Sequence, residues 1–257
     1  MSKTFDGLDL KRIEEIGLNG LQTQRQLFYD GWVLRVSPGK AKRARSVNAH
    51  FGSTLPLSTK IAYCERVYAE RGLPVLFRMT PFSEPAALAN ELAARGYETY
   101  DETLVQLLRI VRPPEIPLPP DIVLTVPPVA AFVDAVGELQ QTPPAQREAH
   151  LERLANTPLA TRAMLAMNGD RAVGCGQIAL EDGVAGIFSV GTATELRGRG
   201  IASAIVGGLL SWAWEHGAAH AYLQVDAENH RAISMYGNFG FATAYTYHYR
   251  AQPGECH

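Results

Sequence analysis

The sequence predicts an α/β chain with mixed α+β sheets, built as two tandem copies of one α/β unit, the first of them degenerate. Three observations predict it. Between Pro113 and Pro128, "PPEIPLPPDIVLTVPP" holds seven of the chain's 16 prolines. Such a stretch continues neither a helix nor a central strand, so it reads as a stiff, extended connector. Downstream of it, the apolar pattern gives the order β-α-α-β-β-β-α-β-α-β. Upstream, the later portion of that order returns: "ANELAARGYETY" aligns with "ISMYGNFGFATA", setting Gly96 on Gly240 and Tyr97 on Phe241, as an internal duplication would. The expected boundaries are 1–112 for the first unit, 113–120 for a proline-rich linker and 121–257 for the second.

Residues 8–29 are helical in pattern. "GWVLRV" and "RSVNAHF" read as strands around a Pro-Gly turn with a basic tip. Ser58–Arg71 reads as a helix, "PVLFRM" as a strand, Pro85–Arg95 as a helix and Thr99–Ile110 as a strand. Past the prolines, Ile122–Val126 is a strand and Val129–Leu139 a helix with apolar residues at helical spacing. "TPPAQREAHLERLAN" gives a second helix, started by its prolines and ending near Asn156. "TRAMLAMN", "AVGCGQIALE" and "VAGIFSVGT", joined by Gly-Asp and Asp-Gly turns, make an antiparallel meander. A glycine-rich stretch then opens a helix that runs to His216 and is capped by Gly217. "AHAYLQV" is a strand, "NHRAISMYGNF" a helix and "FATAYTYHY" a last strand rich in aromatic and β-branched residues.

Composition narrows the classes of function. Of 257 residues, 46% are apolar and 19% charged, an ordinary globular balance with room for two domains. A net charge of -2 supplies no global field for nucleic acid or an anionic membrane, and neither is expected as a partner. The longest apolar run, Ile201 to Trp214, is too short to span a bilayer, and "MSKTFDGLDLKRIEE" has no hydrophobic segment of signal-peptide type. Cys64, Cys175 and Cys256 are odd in number and far apart, which suits free thiols in a cytoplasmic protein, Cys175 as a packed one. His216 and His220 have metal-like spacing, but Gly217 breaks the helix between them and no metal site is expected. The basic run at 39–45, "GKAKRAR", reads as a solvated turn before an anion or RNA contact.

Three features of the second unit carry chemistry. The stretch Arg197, Gly198, Arg199, Gly200, Ile201, Ala202 follows a strand and opens a helix, so it aims N-terminal N–H groups and the positive dipole end at whatever lies there. Glycines let the backbone approach an anion, and arginines add charge-assisted bonds. Asn229 stands where the next helix begins and can cap it or donate to a ligand. Tyr236 lies seven residues on, two turns along that helix, as a proton donor or as a core residue. The strand "GIFSVGT" holds no charge, and its backbone would meet an extended amide-containing ligand if it splays from "AYLQV". Each feature alone also fits a plain alternative: a flexible loop, an ordinary cap, a packed tyrosine, a buried strand.

Jointly these residues resemble the Gcn5-related N-acetyltransferase (GNAT) superfamily. Its pyrophosphate motif, Arg/Gln-x-x-Gly-x-Gly/Ala, is met by Arg197, Gly200 and Ala202. Its next motif, Asn-x-x-Ala-x-x-x-Tyr with a Gly-Phe turn, is met by Asn229, Ala232, Tyr236, Gly240 and Phe241. The resemblance covers about 121–257 and implies two tandem acyl-CoA N-acyltransferase-like domains, with acetyl-CoA bound by the second. It implies that the backbone of Arg197–Ala202 holds the pyrophosphate, that Val190 and Thr192 pair with the pantetheine arm, that Asn229 touches the pantetheine or phosphate region, and that Tyr236 protonates the leaving thiolate. Direct attack by an amine needs positioning and a stabilised leaving group but no covalent enzyme intermediate.

One departure stands out. Many members carry a carboxylate in the strand before the pyrophosphate loop, and here Val184–Val190 has none. The base must be a water chain or a group from elsewhere, such as Glu138 or Asp226. The first unit has Pro85 at the place of Asn229 and Leu92 at that of Tyr236. Its expected role is structural or to wall an acceptor pocket, where Trp32, Arg35, Arg45 and Asn48 are candidates. The expected activity is acetyl transfer to a primary amine of a small or amino-acid-like molecule, by a monomer or homodimer. The alternatives are a non-catalytic acyl-CoA sensor and a protein N-terminal or lysine acetyltransferase.

Overall fold

In the computed structural model, which describes residues 7–23, 25–38 and 41–254, α1 (Leu10–Gly20) starts at Asp9, whose side chain accepts from the Lys11 N–H at 2.9 Å. The helix stops at Gly20, short of the expected 29, and "QLFY" becomes β1 (Gln26–Tyr29). A turn at Asp30 (φ 43°) and Gly31 (φ 82°) returns the chain as β2 (Trp32–Arg35), the mirror-type turn that matches strand twist. Then follow β3 (Val47–Asn48), α2 (Leu57–Ala69), β4 (Phe77–Met79), α3 (Leu88–Ala94) and β5 (Glu98–Arg109). Of the basic run at 39–45, Gly39 and Lys40 lie outside the described residues; Lys42 pairs with Asp101 at 2.6 Å. No regular element falls between Ile110 and Ile122.

The remaining elements are β6 (Val123–Thr125), α4 (Val129–Leu139), α5 (Pro144–Ala155), β7 (Ala160–Asn168), β8 (Arg171–Glu181), β9 (Val184–Thr192), α6 (Ile201–Glu215), β10 (His220–Asp226), α7 (His230–Asn238) and β11 (Ala242–Ala251). Their order is the one the sequence predicts. Among the described residues no helix is long and apolar enough to cross a membrane.

The chain forms two compact units that divide it otherwise than the expected 1–112, 113–120 and 121–257. The larger takes the chain up to Gln22, Val105–Val225 and Asn229–Ala244; the smaller takes Thr23–Leu104, Asp226–Glu228 and Tyr245 onward. The reason is strand length: β5 has 12 residues and β11 ten, and each is divided between the units. Both flanks of the proline stretch therefore lie in the larger unit.

In the larger unit the strand order is β5-β10-β9-β8-β7-β6, with β9 and β10 parallel and β6 to β9 an antiparallel meander. Gly174 and Gly176 of β8 admit α6 on one face: a Cβ at either would stand within 2.8 Å of Ile205. The alternating residues of β8 face the other way. There Phe132, Val136, Leu165 and Cys175 pack under α4, and Ile13, Ile16, Ala179, Phe188 and Tyr222 pack under α1.

In the smaller unit the order is β1-β2-β3-β4-β11-β5, with β3 and β4 parallel and β11 antiparallel to β4. Its core joins Trp32, Leu34, Ile61, Tyr68, Phe77, Leu88 and Tyr97. The two helix-to-strand joins that the sequence aligned share one geometry. Gly96 (φ 83°) and Gly240 (φ 93°) end α3 and α7 in the left-handed region, where glycine is favoured. The Tyr97 N–H then returns to the Leu92 carbonyl at 3.0 Å and that of Phe241 to Tyr236 at 3.2 Å, burying each ring.

Candidate active site

The site begins with a defect in the sheet. Gln177 pairs with Phe188 and Cys175 with Gly191, so β9 carries an extra residue opposite Gly176. Ser189 sits in this bulge at φ 54°, an uncommon conformation for a residue with a side chain, and its carbonyl accepts from the buried Cys175 thiol at 3.2 Å. Burial pushes that thiol up to about 12, which keeps it protonated as a donor. Parallel pairing of β9 with β10 ends at Ile187 and Leu223, just before the bulge. From Val190 to Thr192 the β9 backbone is therefore turned from β10 and lines a cleft of about 560 Å³.

The floor of that cleft is the start of α6. A short 3-10 turn at Thr194–Leu196 leads to Arg197, and Gly198 (φ 86°) and Gly200 (φ 80°) then turn the chain into the helix. Both glycine conformations lie in the left-handed region. Gly200 is the N-cap, and no side chain caps the helix. A Cβ on Gly198 would stand 3.0 Å from the Arg231 guanidinium, so Arg231 comes up against the glycine turn from α7. The result is N–H groups, a positive helix end and two exposed arginines gathered at one concave place.

Asn229 caps α7, its side-chain oxygen accepting from the Ala232 N–H at 3.1 Å, which commits the oxygen and leaves the amide NH₂ as the group it can offer. Tyr236 is buried, its ring edge-on to Phe241 with centroids 5.9 Å apart. Burial pushes its phenol up to about 12, so it holds its proton at neutral pH. The Thr192 hydroxyl is buried without a hydrogen-bond partner.

Of the residues singled out in the sequence, Val190, Thr192, Arg197, Gly198, Gly200, Ile201, Ala202, Asn229 and Tyr236 line this one cleft; Arg199 does not. Glu138 and Asp226 are exposed and do not line it either, and the Asp226 carboxylate accepts from the Glu228 N–H at 2.8 Å. Trp32, Arg35 and Asn48 are buried inside the smaller unit: Trp32 donates to the Glu84 carbonyl at 2.9 Å, Arg35 to Gln26 at 3.1 Å and Asn48 to the Ser46 carbonyl at 3.0 Å. Arg45 is half-buried. His216 turns its ring onto Trp212, 4.4 Å between centroids.

Sequence reasoning missed Arg231 and the bulge. The tripeptide Asn229-His230-Arg231 marks a cation in the first turn of α7, but its approach to Gly198 depends on folding across 33 residues. The bulge has no glycine to announce it.

A bulged, splayed strand and an uncapped, glycine-turned helix start thus line one concave cleft. Residues 132–241 match the model of the Acetyltransferase (GNAT) family. The chain is 27% identical over 246 residues to YobR of Bacillus subtilis (strain 168), described as an uncharacterized N-acetyltransferase, covering 94% of this chain and 98% of that one. In fold it is similar to a GCN5-related N-acetyltransferase from Kribbella flavida, with a TM-score of 0.70, 17% identity and 95% of each chain covered. It is also similar to a tandem GNAT protein from the clavulanic acid biosynthesis pathway, with a TM-score of 0.58, 15% identity, and 74% of this chain and 68% of that one covered. Residues 132–241 are thus similar to the GNAT family of acetyltransferases, whose members draw on acetyl-CoA and act on small-molecule or protein acceptors.

Proposed function

We propose that the chain transfers the acetyl group of acetyl-CoA directly to a primary amine of a small molecule. The observation that carries the reading is the convergence in one cleft of the Gly198–Gly200 turn, the unpaired end of β9 and the protonated Tyr236. The residues fit the donor. The glycine turn and the backbone of residues 197–202 offer N–H groups to a diphosphate, with Arg197 and Arg231 beside them. The Val190 and Thr192 backbone offers strand-type hydrogen bonds to the amides of the donor's arm, and the Thr192 hydroxyl adds one more. Asn229 offers its NH₂ to the same arm or to the phosphates.

In the transfer, the amine nitrogen forms a bond to the thioester carbon and the carbon–sulfur bond breaks. Tyr236 gives its proton to the departing sulfur and is restored by the proton that the nitrogen sheds, relayed by water. Isothermal calorimetry with acetyl-CoA, followed by thiol release across a panel of amines, tests the reading. Binding with turnover supports it, and no binding removes it.

A second reading, an acyl-CoA-binding protein without turnover, is favoured by one observation: β9 carries no carboxylate, and neither Glu138 nor Asp226 reaches the cleft. Binding without turnover on any amine would establish it.

A further inference from the structure

The bulge in β9 takes one peptide unit, Ser189 to Val190, out of the regular ladder. Cys175 is registered with Gly191 and Gln177 with Phe188, so neither residue of that unit has a registered partner on β8. Its carbonyl and its N–H must each find a partner elsewhere. The carbonyl has one: Cys175 Sγ donates to Ser189 O at 3.2 Å. The thiol comes from a fully buried side chain packed beside Phe132 and Val136, and burial keeps it protonated. Gly191 gives it room, since a Cβ there would stand 3.3 Å from Sγ.

Holding the carbonyl also fixes the N–H of the same unit. The 189–190 bond is trans, and in a planar trans peptide the C=O and N–H point in opposite directions. With Ser189 O drawn toward Cys175 and β8, the Val190 N–H points away from β8. That is the side on which β10 has parted from β9, beyond Ile187 and Leu223. The parallel ladder ends before it reaches this N–H, and Val190 lines the cleft. Ser189 meanwhile stands at φ 54°, a costly conformation for a residue with a side chain, which persists only where the surroundings hold it. The thiol of Cys175 is a group that holds it.

We infer that Cys175 is a positioning residue for acetyl transfer: by holding the Ser189 carbonyl, it aims the Val190 N–H at the carbonyl oxygen of the bound thioester. The inference rests on the donor reading above. As the amine nitrogen bonds to the thioester carbon, the π pair of the C=O moves onto that oxygen. It returns when the carbon–sulfur bond breaks and the sulfur departs. An N–H already aimed at the oxygen stabilises the charge in between, with no reorganisation at the moment of reaction. An apolar side chain at 175 would pack under α4 just as well, but it would leave the peptide unit free to turn. A serine there keeps a donor, so the two substitutions separate positioning from packing.

The test follows the thioester carbonyl of isotope-labelled acetyl-CoA by infrared difference spectroscopy on the full chain and on Cys175→Ala and Cys175→Ser, with kcat and KM wherever an amine turns over. In the natural chain the carbonyl band of the bound donor is expected below that of free acetyl-CoA. It should return toward the free position in Cys175→Ala and stay low in Cys175→Ser. In turnover, Cys175→Ala should lower kcat by about tenfold with KM for acetyl-CoA unchanged, and Cys175→Ser should restore most of the loss. A bound carbonyl at the free position in the natural chain would overturn the inference, as would a band and kcat that Cys175→Ala leaves unmoved. A loss shared equally by Cys175→Ser, or a higher KM at constant kcat, would mean packing and would overturn it too. The infrared arm needs no acceptor and reads the natural chain even where a variant does not fold. Failure of the natural chain to bind acetyl-CoA removes the donor reading itself, whereas binding with an unshifted carbonyl removes only this inference.

Discussion

The loops that open α2 and α6 stand at matching places in the two repeats, and they differ in what meets the N–H groups ahead of the helix. Before α2, the Asp30 carboxylate, carried by the β1–β2 turn, accepts from the N–H groups of Thr54 at 3.0 Å and Leu55 at 2.9 Å and from the Thr54 hydroxyl at 2.7 Å. Lys60 lies fully buried beneath, bonded to Asp30 and Ser53, with its Nζ 3.9 Å from the Trp32 ring centroid. Before α6, the matching β7–β8 turn contributes only Arg171, which pairs with Glu195 at the exposed edge of the loop. No side chain caps the helix that the glycine turn opens, and the turn faces the cleft. The N–H groups just ahead of the N-cap meet the protein's own carboxylate in the first repeat, while in neither repeat does a side chain cap the helix itself. On the proposed reading, degeneracy has a physical form here: a carboxylate stands where the donor's diphosphate would.

The contrast can be broken at either end. The largest effect is expected from Gly200→Val, which forces a β-branched residue to φ 80° in the cradle. KM for acetyl-CoA should rise by about 100-fold with the far-UV circular dichroism of the chain unchanged; an unchanged KM would mean that the turn does not hold the donor. Tyr236→Phe should lower kcat by about 10²-fold at saturating acetyl-CoA while KM for the donor stays put, and equal kcat would refute the general-acid role. Arg231→Gln should raise KM for acetyl-CoA by about five- to tenfold, less so at high salt; a salt-independent effect would argue for lost packing instead.

The gentlest probe is Asp30→Asn, which keeps the turn and removes the charge. Backbone bonds from Leu55 and then Thr54 hold the Asp30 carboxyl well below the usual carboxylate range. A group depressed on folding lends stability above its unfolded value, near ~4, and loses it as pH falls through the lower folded one. The melting temperature of Asp30→Asn should therefore lie below that of the natural chain from pH 8 to 5, and the gap should narrow under pH 4. A gap independent of pH would show that the charge is not what ties the turn to the helix.

Much of this was legible in the sequence where punctuation is chemical. Val129–Leu139 starts after Pro128 and ends where its apolar spacing does, and its bounds agree with α4. Gly96 and Gly240 were legible as a pair because only a left-handed residue closes such a join. The cleft residues were legible through spacing along α7 and the glycines before α6. What escaped reading is set by partners distant in the chain. The helical pattern ran on to 29, yet Gly20 packs against Phe188 and Tyr222, and the chain beyond it pairs with β2 instead. Ser189 adopts its conformation because β8 and β9 disagree in register, which no local composition announces. The prolines mark a break in regular structure but not the limit of a compact unit, since residues 105–109 of β5 belong to the same unit as the chain downstream of the prolines.

The sharing of β5 and β11 bears on how such a protein can be taken apart. Its halves have lost modularity. A fragment cut at the prolines, 121–257, would carry off Tyr245–Ala251 without the β4 edge they pair with, and would leave α1 and the second half of β5 behind. Neither piece would hold a finished sheet, and each would present raw strand edges of the kind that aggregate. A cut at the proline stretch would thus divide the larger unit instead of separating it from the smaller one.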